Sequence, residues 1–254
     1  MKKTIYLLLI FVSTLSAGFS IIYPENGETI LMNIQEKIYD AFVLSLQEQD
    51  TKPLTEIQQK IKQVEDESHI TTYWMAYAKY YESIYYLKFN DTKNAKAEIS
   101  KGIKLIEDVP NKDSEYYALL AHLQSFSTQF AEGMSAMLIS NKTKENAKSA
   151  LKLDSTNLRA WYVMGCNDYY TPKAYGGKQK CEEYFQKSIS LENQTIANPY
   201  MPSWGKDDAF ALLVAYYINE NEIEKARGYL KKALSLYPDN YMLNQYAEEI
   251  KKEH

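Results

Sequence analysis

The stretch from residue 207 to residue 240 constrains the fold more than any other part of the chain. Its large and small apolar residues recur every three or four positions in two separate runs, and this spacing is typical of α-helices. The matching residues are Phe210, Leu213 and Tyr217 in the first run, and Ala226, Leu230 and Ala233 in the second. Pro238 follows the second run and cannot continue a helix. The pattern predicts two packed helices, in which small residues allow close approach and larger ones fill the remaining space.

The same arrangement precedes this stretch, with one interruption. "LRAWYVMGCNDYY" and "KCEEYFQKSISLEN" have first-helix and second-helix spacing, and "TPKAYGGK" lies between them at residues 171–178. Pro172 stops the first helix, and Gly176 and Gly177 supply backbone freedom before the second. We therefore predict a lengthened turn inside one helical repeat. The turn is either a plain connector or, with an exposed Tyr175, a surface that contacts a ligand or a second copy of the chain.

Earlier segments match the spacing more loosely. "TTYWMAYAKYYESIYYL" pairs with "NAKAEISKGIKLIE", and "DSEYYALLAHLQSFSTQF" pairs across a long connection with "NKTKENAKSALKLDSTN". Residues 28–67 add two amphipathic helices split at residues 51–53, and residues 241–252 suit a helix that caps the last repeat. We expect an all-α protein, a right-handed α-solenoid of helix-turn-helix repeats with a C-terminal capping helix. The expected division is N-terminal helices in residues 19–70 and repeats in residues 71–254.

The spacing in residues 207–240 resembles the tetratricopeptide repeat (TPR), with Val214 where a small residue is usual. The chain as a whole resembles a group of exported bacterial TPR proteins, from about Tyr73 to Ala247. "DSEYYALLAHLQ", "ALKLDSTNLRAWYVMGCNDYYTPKAYGG" and "PSWGK" carry the resemblance. Cys181 departs from the usual pattern, in which a small residue precedes "EEYF". The family is named for its repeats and not for an activity, so the resemblance implies no catalytic residues.

The fold implied by this resemblance has a concave groove, lined by the second, fifth, ninth, twelfth and thirteenth positions of each first helix. The resulting candidates for partner binding are Met75, Lys79, Glu82, His122, Phe126, Arg159, Tyr162, Tyr169, Tyr170 and Asn219, together with Tyr175 in the lengthened turn. A surface that mixes Tyr, Arg and Met has the composition of a protein-binding site. Tyrosine rings also fill the interior of such repeats, so both roles stay open.

Neither catalysis nor a cofactor is expected. The three histidines, His69, His122 and His254, are scattered, and the sequence has no H-E-x-x-H, no Cys-x-x-Cys, no G-x-S-x-G and no glycine-rich phosphate loop after a strand. Cys166 and Cys181 face each other across the lengthened turn. They form either a disulfide, which an exported compartment allows, or two buried thiols that act as small apolar residues.

The N-terminus reads as a secretory signal peptide over residues 1–18. Lys2 and Lys3 precede an apolar run at residues 5–12, and Ser16-Ala17-Gly18 offers a cleavage site. We expect a soluble mature protein that is periplasmic or secreted. Cleavage would remove both lysines and change the formal net charge from −4 to −6. With no basic cluster among aromatics, this charge argues against nucleic-acid binding.

These features predict a non-enzymatic scaffold whose groove binds a segment of another envelope or secreted protein. The alternative is a small-molecule-binding helical accessory protein of a solute-uptake system. Homo-oligomer formation is left open by the sequence.

Overall fold

The computed structural model describes residues 30–65, 69–193 and 200–252, so the predicted signal peptide lies outside the described residues. Eleven α-helices lie entirely within these ranges, which contain no β-strand. They are α1 (Ile34–Glu48), α2 (Lys52–Lys62), α3 (Ile70–Lys88), α4 (Thr92–Glu107), α5 (Ser114–Ser127), α6 (Gly133–Leu153), α7 (Leu158–Tyr170), α8 (Cys181–Ser190), α9 (Lys206–Asn219), α10 (Ile223–Leu236) and α11 (Tyr241–Lys252). Short 3-10 helices lie at Thr128–Phe130 and Lys173–Tyr175. None of the described helices is both long enough and apolar enough to cross a bilayer. The prediction of an all-α solenoid is confirmed.

The chain divides into two compact units, the first ending at Val109 and the second beginning at Pro110. In the first unit α1 pairs with α2 and α3 pairs with α4, while α3 also packs on α1 and α2. Pro53 lies in the first turn of α2, where its missing N–H costs no helical hydrogen bond. The two helices predicted from residues 28–67 are therefore present. The unit boundary lies inside the 71–254 span that the sequence assigns to repeats, and that assignment stays a prediction.

The second unit consists of three helical hairpins and a final helix. The hairpins are α5–α6, α7–α8 and α9–α10, and α5, α7 and α9 also pack on one another in order. The final helix α11 packs on both α9 and α10, as a capping helix should. Helices α5, α7, α9 and α11 thus form a continuous layer of first helices. We use the name inner face for the side of this layer that carries the second, fifth, ninth, twelfth and thirteenth repeat positions.

Close approach within a hairpin depends on the small residues that the sequence spacing singled out. A Cβ atom at Gly165 would lie 2.5 Å from two ring atoms of Phe185, which is fully buried between α7 and α8. The Ser188 hydroxyl also donates to the Leu158 carbonyl at 2.8 Å, which joins the same two helices. In the next hairpin Val214 occupies the corresponding slot and is fully buried. The fold therefore accommodates the larger residue at that slot.

The connection between α5 and α6 differs from the sequence prediction. The pattern starting at Asn141 predicted a long connection, but α6 already begins at Gly133. Gly133 has φ 55°, a left-handed conformation that favours glycine and lets the chain turn sharply. The added turns carry exposed side chains and no repeat signature, which is why the spacing did not reveal them. The Ser140 hydroxyl donates to Asn167 Oδ1 at 2.8 Å and so ties this extension to α7.

Candidate functional site

The predicted groove residues are divided between the two units. Met75, Lys79 and Glu82 lie on α3 in the first unit, whereas the other candidates lie in the second. Glu82 is buried, and the Lys79 ammonium lies 2.7 Å from Glu82 Oε2 and 2.8 Å from Glu98 Oε2. Desolvation would lower the pKa of Lys79, but the hydrogen bonds and charges of these two carboxylates outweigh it and raise the pKa. Lys79 and Glu82 therefore bond to the protein's own interior.

The same network continues into α2 and α4. Gln58 Nε2 donates to Glu82 Oε2 at 2.9 Å, and the Lys101 ammonium lies 2.6 Å from Glu98 Oε1. Desolvation would raise the pKa of Glu98, but its bonds to Lys101 and Lys79 lower it. The cluster cross-links three helices of the first unit. Met75 is half-buried on the same helix.

In the second unit, Arg159 is the centre of a buried polar network. Its Nε donates to Glu115 Oε2 at 2.6 Å and its Nη2 donates to Glu115 Oε1 at 2.7 Å. Arg159 is 0% exposed and Glu115 is 3% exposed. Asn157 Nδ2 adds bonds to Glu115 Oε1 at 2.8 Å and to the Ser114 hydroxyl at 2.9 Å. The guanidinium of Arg159 is therefore buried. The sequence analysis had expected it to lie on an open groove.

The indole of Trp204 covers this network. Arg159 Cζ lies 5.9 Å from the Trp204 ring centroid, and the Tyr162 ring stands nearly perpendicular to Trp204 at 6.3 Å. Gly205, the next residue, has φ 97°, so its backbone conformation strongly favours glycine. Arg159 Nη1 also donates to Asn193 Oδ1 at 3.2 Å. The "PSWGK" motif thus fills one part of the inner face with the protein's own side chain and buries Tyr162.

His122 of α5 also packs against the Trp204 ring. Its imidazole is 4.7 Å from the Trp204 centroid and 6.0 Å from that of Tyr162. Desolvation by the surrounding protein lowers the pKa of His122 to about 4, so the ring is neutral near pH 7. Phe126, one turn further along α5, is half-buried and packs edge-on against Phe130 at 6.0 Å. Both side chains contribute to packing in the structure.

The remaining candidates lie on an uncovered part of the second unit. Tyr170 and Asn219 are exposed, and Tyr169 is half-buried beside them. Asn219 Nδ2 donates to the Tyr169 hydroxyl at 2.9 Å, and the Tyr170 ring stands almost perpendicular to Tyr169 at 5.0 Å. These contacts join the C-terminal ends of α7 and α9 and leave the Tyr170 side chain 65% exposed.

The lengthened turn after α7 has a defined backbone. The Tyr175 N–H donates to the Pro172 carbonyl at 2.8 Å, and the Lys178 N–H donates to the Asp168 carbonyl at 2.8 Å. A Cβ atom at Gly177 would lie 2.0 Å from the Thr171 carbonyl oxygen, so only glycine fits there. The turn nevertheless holds Tyr175 82% exposed. Residues 171–178 therefore form the ordered turn predicted between two helices of one hairpin.

The groove candidates chosen from the sequence did not include Asp208. This residue takes the second, groove-lining position of the last repeat when Asp207 is counted as the first. The residue keeps part of its surface exposed, although many protein atoms surround its carboxyl group. Desolvation by these atoms, together with the neighbouring Asp207 carboxylate, raises the pKa of Asp208 well above its usual value and favours the uncharged form. The same counting rule that selected Arg159 also gives Asp208.

Cys166 and Cys181 are free and buried, so the disulfide considered from the sequence is not formed in the structure. Burial raises the pKa of both thiols, that of Cys181 to about 11. Asp168 Oδ2 accepts hydrogen bonds from the N–H groups of Lys180 and Cys181, each at 2.8 Å, and so caps α8. Over the described ranges, no group of three His, Cys, Asp or Glu residues could hold a metal ion.

No family model matches the chain, and no curated protein matches its sequence. A similar solved structure is a thermophilic TPR protein from Thermus thermophilus, with a TM-score of 0.54 and 16% sequence identity over 83% of this chain and 97% of that one. YrrB, described as a TPR protein with an unusual peptide-binding site, aligns with a TM-score of 0.34 and 18% identity over 88% of this chain and 100% of its own.

Proposed function

We propose that this chain, which has the tetratricopeptide-repeat fold, is a non-enzymatic scaffold that binds a segment of another protein on the inner face of its second unit and on the adjoining turn at residues 171–178. The observation that carries the proposal is the exposure of Tyr170 and Tyr175, at 65% and 82%, on well-defined backbone. Tyrosine is enriched where proteins bind each other, because its ring buries a large area and its hydroxyl accepts or donates a hydrogen bond.

The ordered backbone matters because it lowers the cost of binding. Lys173 forms an ion pair with Glu220 at 3.2 Å, which joins the turn to the end of α9. Tyr170 packs on Tyr169, whose hydroxyl is in turn held by Asn219. A partner that met these rings would not have to order them first, so less conformational entropy would be lost.

The proposed contact surface is therefore narrower than the groove expected from the sequence. We assign partner contacts to Tyr169, Tyr170, Tyr175 and Asn219. Arg159 and Tyr162 are buried beneath or against Trp204, and a role for them in binding would be indirect. Replacing them would damage the fold and so would not test the surface.

Affinity capture of the tagged full chain from its own cells, with mild cross-linking and mass spectrometry, tests the proposal. The test variant combines Tyr170→Ala with Tyr175→Ala. The matched control combines Leu153→Ala with Leu236→Ala, since these two leucines are 58% and 54% exposed on the second helices α6 and α10. We expect a recurrent protein that the control retains and the test variant loses.

A partner retained by the tyrosine variant would show that binding occurs elsewhere. If repeated captures yield no partner and a metabolite raises the unfolding temperature instead, the protein is a small-molecule-binding accessory protein and the scaffold proposal is wrong.

We further propose that the chain is exported and meets its partner in the envelope or outside the cell. Lys2, Lys3 and the apolar run at residues 5–12 support this location. N-terminal sequencing of the protein from separated cell fractions tests it. The expected result is a mature chain in the periplasmic or extracellular fraction that begins after Gly18. An intact N-terminus in the cytoplasmic fraction would exclude export.

A further inference from the structure

We propose that the exposed face of helix α6 holds the protein reversibly on a membrane surface rich in anionic phospholipids. The inference goes beyond the proposed scaffold function and does not depend on it, because α6 contributes none of the residues assigned to partner contacts. It is carried by an exposed apolar patch at the start of α6, by lysines without ion pairs along the rest of the same face, and by the composition of the helix.

The first two turns of α6 present three large apolar side chains to solvent. Met134, Met137 and Leu138 are 67%, 49% and 54% exposed. Their spacing of three and four residues makes them neighbours on one side of the helix, so they form a single patch. Single exposed apolar residues are common on protein surfaces, whereas a patch on adjoining turns indicates a surface that another molecule covers.

Lysines continue the exposed face beyond this patch. Lys144 and Lys148 follow Met137 by seven and eleven residues, which places all three on the same side of the helix. Thr143 and Ala147, on the opposite side, are fully buried. The charged residues of α6 are four exposed lysines and one exposed glutamate, namely Lys142, Lys144, Lys148, Lys152 and Glu145. The helix is therefore positively charged, although the whole chain has a formal net charge of −4.

The positive charge of α6 is not neutralised from within the described part of the protein. None of its four lysines forms an ion pair with a described residue. Helix α10 also has four basic residues, but Lys225 and Arg227 lie 2.5 and 3.6 Å from nearby glutamates. The face of α6 thus combines an apolar patch with a positive potential, and an anionic surface with an apolar layer beneath it is complementary to both.

The composition of this face favours a lipid surface over a protein partner. Protein-binding sites are enriched in Tyr, Trp and Arg and are depleted of Lys. Helix α6 has four lysines and neither an aromatic residue nor an arginine. Flexible lysine side chains can follow mobile phosphate headgroups, while the Met and Leu side chains enter the apolar region beneath them. The surface at Tyr170 and Tyr175 has the opposite composition and stays available for a protein.

Co-sedimentation with lipid vesicles tests the inference, on protein purified from its own cells. One vesicle consists of phosphatidylcholine alone, and the other of equal parts of phosphatidylcholine and anionic phosphatidylglycerol. The charge variant combines Lys144→Gln with Lys148→Gln, and the apolar variant combines Met134→Gln with Met137→Gln. Glutamine forms helices about as readily as lysine and methionine, so circular dichroism should show an unchanged fold.

We expect the wild type to sediment with the anionic vesicles and not with phosphatidylcholine alone. The charge variant should lose about thirtyfold in affinity, the effect of removing two lysines from a charged surface, and the apolar variant should lose about tenfold. The matched control combines Lys187→Gln with Lys231→Gln, which removes the same charge from exposed positions of α8 and α10. It should bind as the wild type does. Added salt should weaken wild-type binding more steeply than binding of the charge variant.

A fluorescent label identifies the part of the chain that meets the membrane. Met137→Cys is labelled with an environment-sensitive fluorophore, and Leu236→Cys, at an exposed position of α10, is the control. The native Cys166 and Cys181 are buried and should stay unlabelled in the folded protein. Anionic vesicles should shift the emission to shorter wavelength only for the label on α6. This readout separates α6 from the apolar run at residues 5–12, which is the same in both labelled proteins.

Three results would overturn the inference: sedimentation with neither vesicle, equal sedimentation with both, or anionic binding that the charge variant retains in full. Capture of an acidic protein that the charge variant loses, without binding to anionic vesicles, would assign the face to a protein partner instead. All of these results would leave the scaffold proposal standing, because the Tyr170→Ala and Tyr175→Ala pair tests it separately.

Discussion

Arg159 and Glu115 form a two-bond ion pair from which solvent is excluded, and this pair joins α7 to α5. The distances of 2.6 and 2.7 Å are those of charge-assisted hydrogen bonds. Asn157 and Asn193 add further polar contacts to the two side chains. The pair therefore belongs to the framework that supports the inner face.

Arg159→Met should destabilise the protein by about 3–5 kcal/mol, because it leaves the Glu115 carboxylate buried without its cation. Urea unfolding followed by circular dichroism measures this loss. Lys104→Met is the control, since Lys104 and Asp108 form an exposed pair at 2.6 Å, and water screens the attraction between such charges so that the pair adds little to stability. Equal effects of the two substitutions would contradict the buried assignment.

Gly165→Ala should destabilise the α7–α8 hairpin by about 1–3 kcal/mol, because the new methyl group would overlap the Phe185 ring at 2.5 Å. Gly228→Ala provides the comparison. A Cβ atom at Gly228, inside α10, meets nothing within 4 Å, so alanine there should stabilise the helix by up to about 1 kcal/mol. Thermal unfolding of both variants measures the difference, and a stabilising Gly165→Ala would refute the close approach.

The stability of the protein should depend on pH through His122. The folded-state pKa of about 4 lies below the ordinary value of 6.5, so the unfolded chain binds the proton more readily. The contribution of His122 is therefore complete above about pH 6.5 and is lost as the pH falls towards 4. The loss should approach about 3 kcal/mol.

His122→Phe keeps a ring against Trp204 and removes the titrating group. Urea midpoints measured across this pH range should fall less for the variant than for the wild type. Parallel curves for the two proteins would show that His122 does not titrate in this way.

The two thiols should be unreactive in the folded protein. Burial and the raised pKa of each leave little thiolate at neutral pH, and thiolate is the reactive form. Alkylation in native buffer should be slower by at least about a hundredfold than in denaturant. Mass spectrometry of the denatured, unreduced protein should show both Cys166 and Cys181 labelled. A mass without labels would reveal a disulfide.

Local spacing was sufficient to predict the hairpins. The residues that recur at three- and four-residue intervals in 207–240 fall on α9 and α10, and α10 ends just before Pro238. A helix is specified by interactions between close neighbours in sequence, and these can be read directly. The extension of α6 from Gly133 was missed because its added turns are exposed and do not share the repeat spacing.

Local spacing could not predict which candidate residues are buried by contacts with distant parts of the chain. Arg159 and Glu115 are 44 residues apart, and Trp204 reaches both α5 and α7 from outside any helix. One signal was present in the sequence. Glu115, Arg159 and Asp208 all take the second repeat position when the repeats are counted from Ser114, Leu158 and Asp207. The first two could therefore have been expected to meet as neighbours of opposite charge.

Trp204 belongs to the connection that joins α8 to α9, and not to a helix. Helical residues such as Gly165 and Phe185 specify the packing inside each hairpin. These residues lie outside the connection. The connection that carries Trp204 therefore determines how much of the inner face is covered, while the helices themselves determine the hairpin packing. Related proteins with a shorter connection, or with a small residue in place of the indole, would keep the same hairpins while offering a longer binding surface. Changes in the length or composition of this connection could therefore alter the accessible surface while the repeats stayed constant.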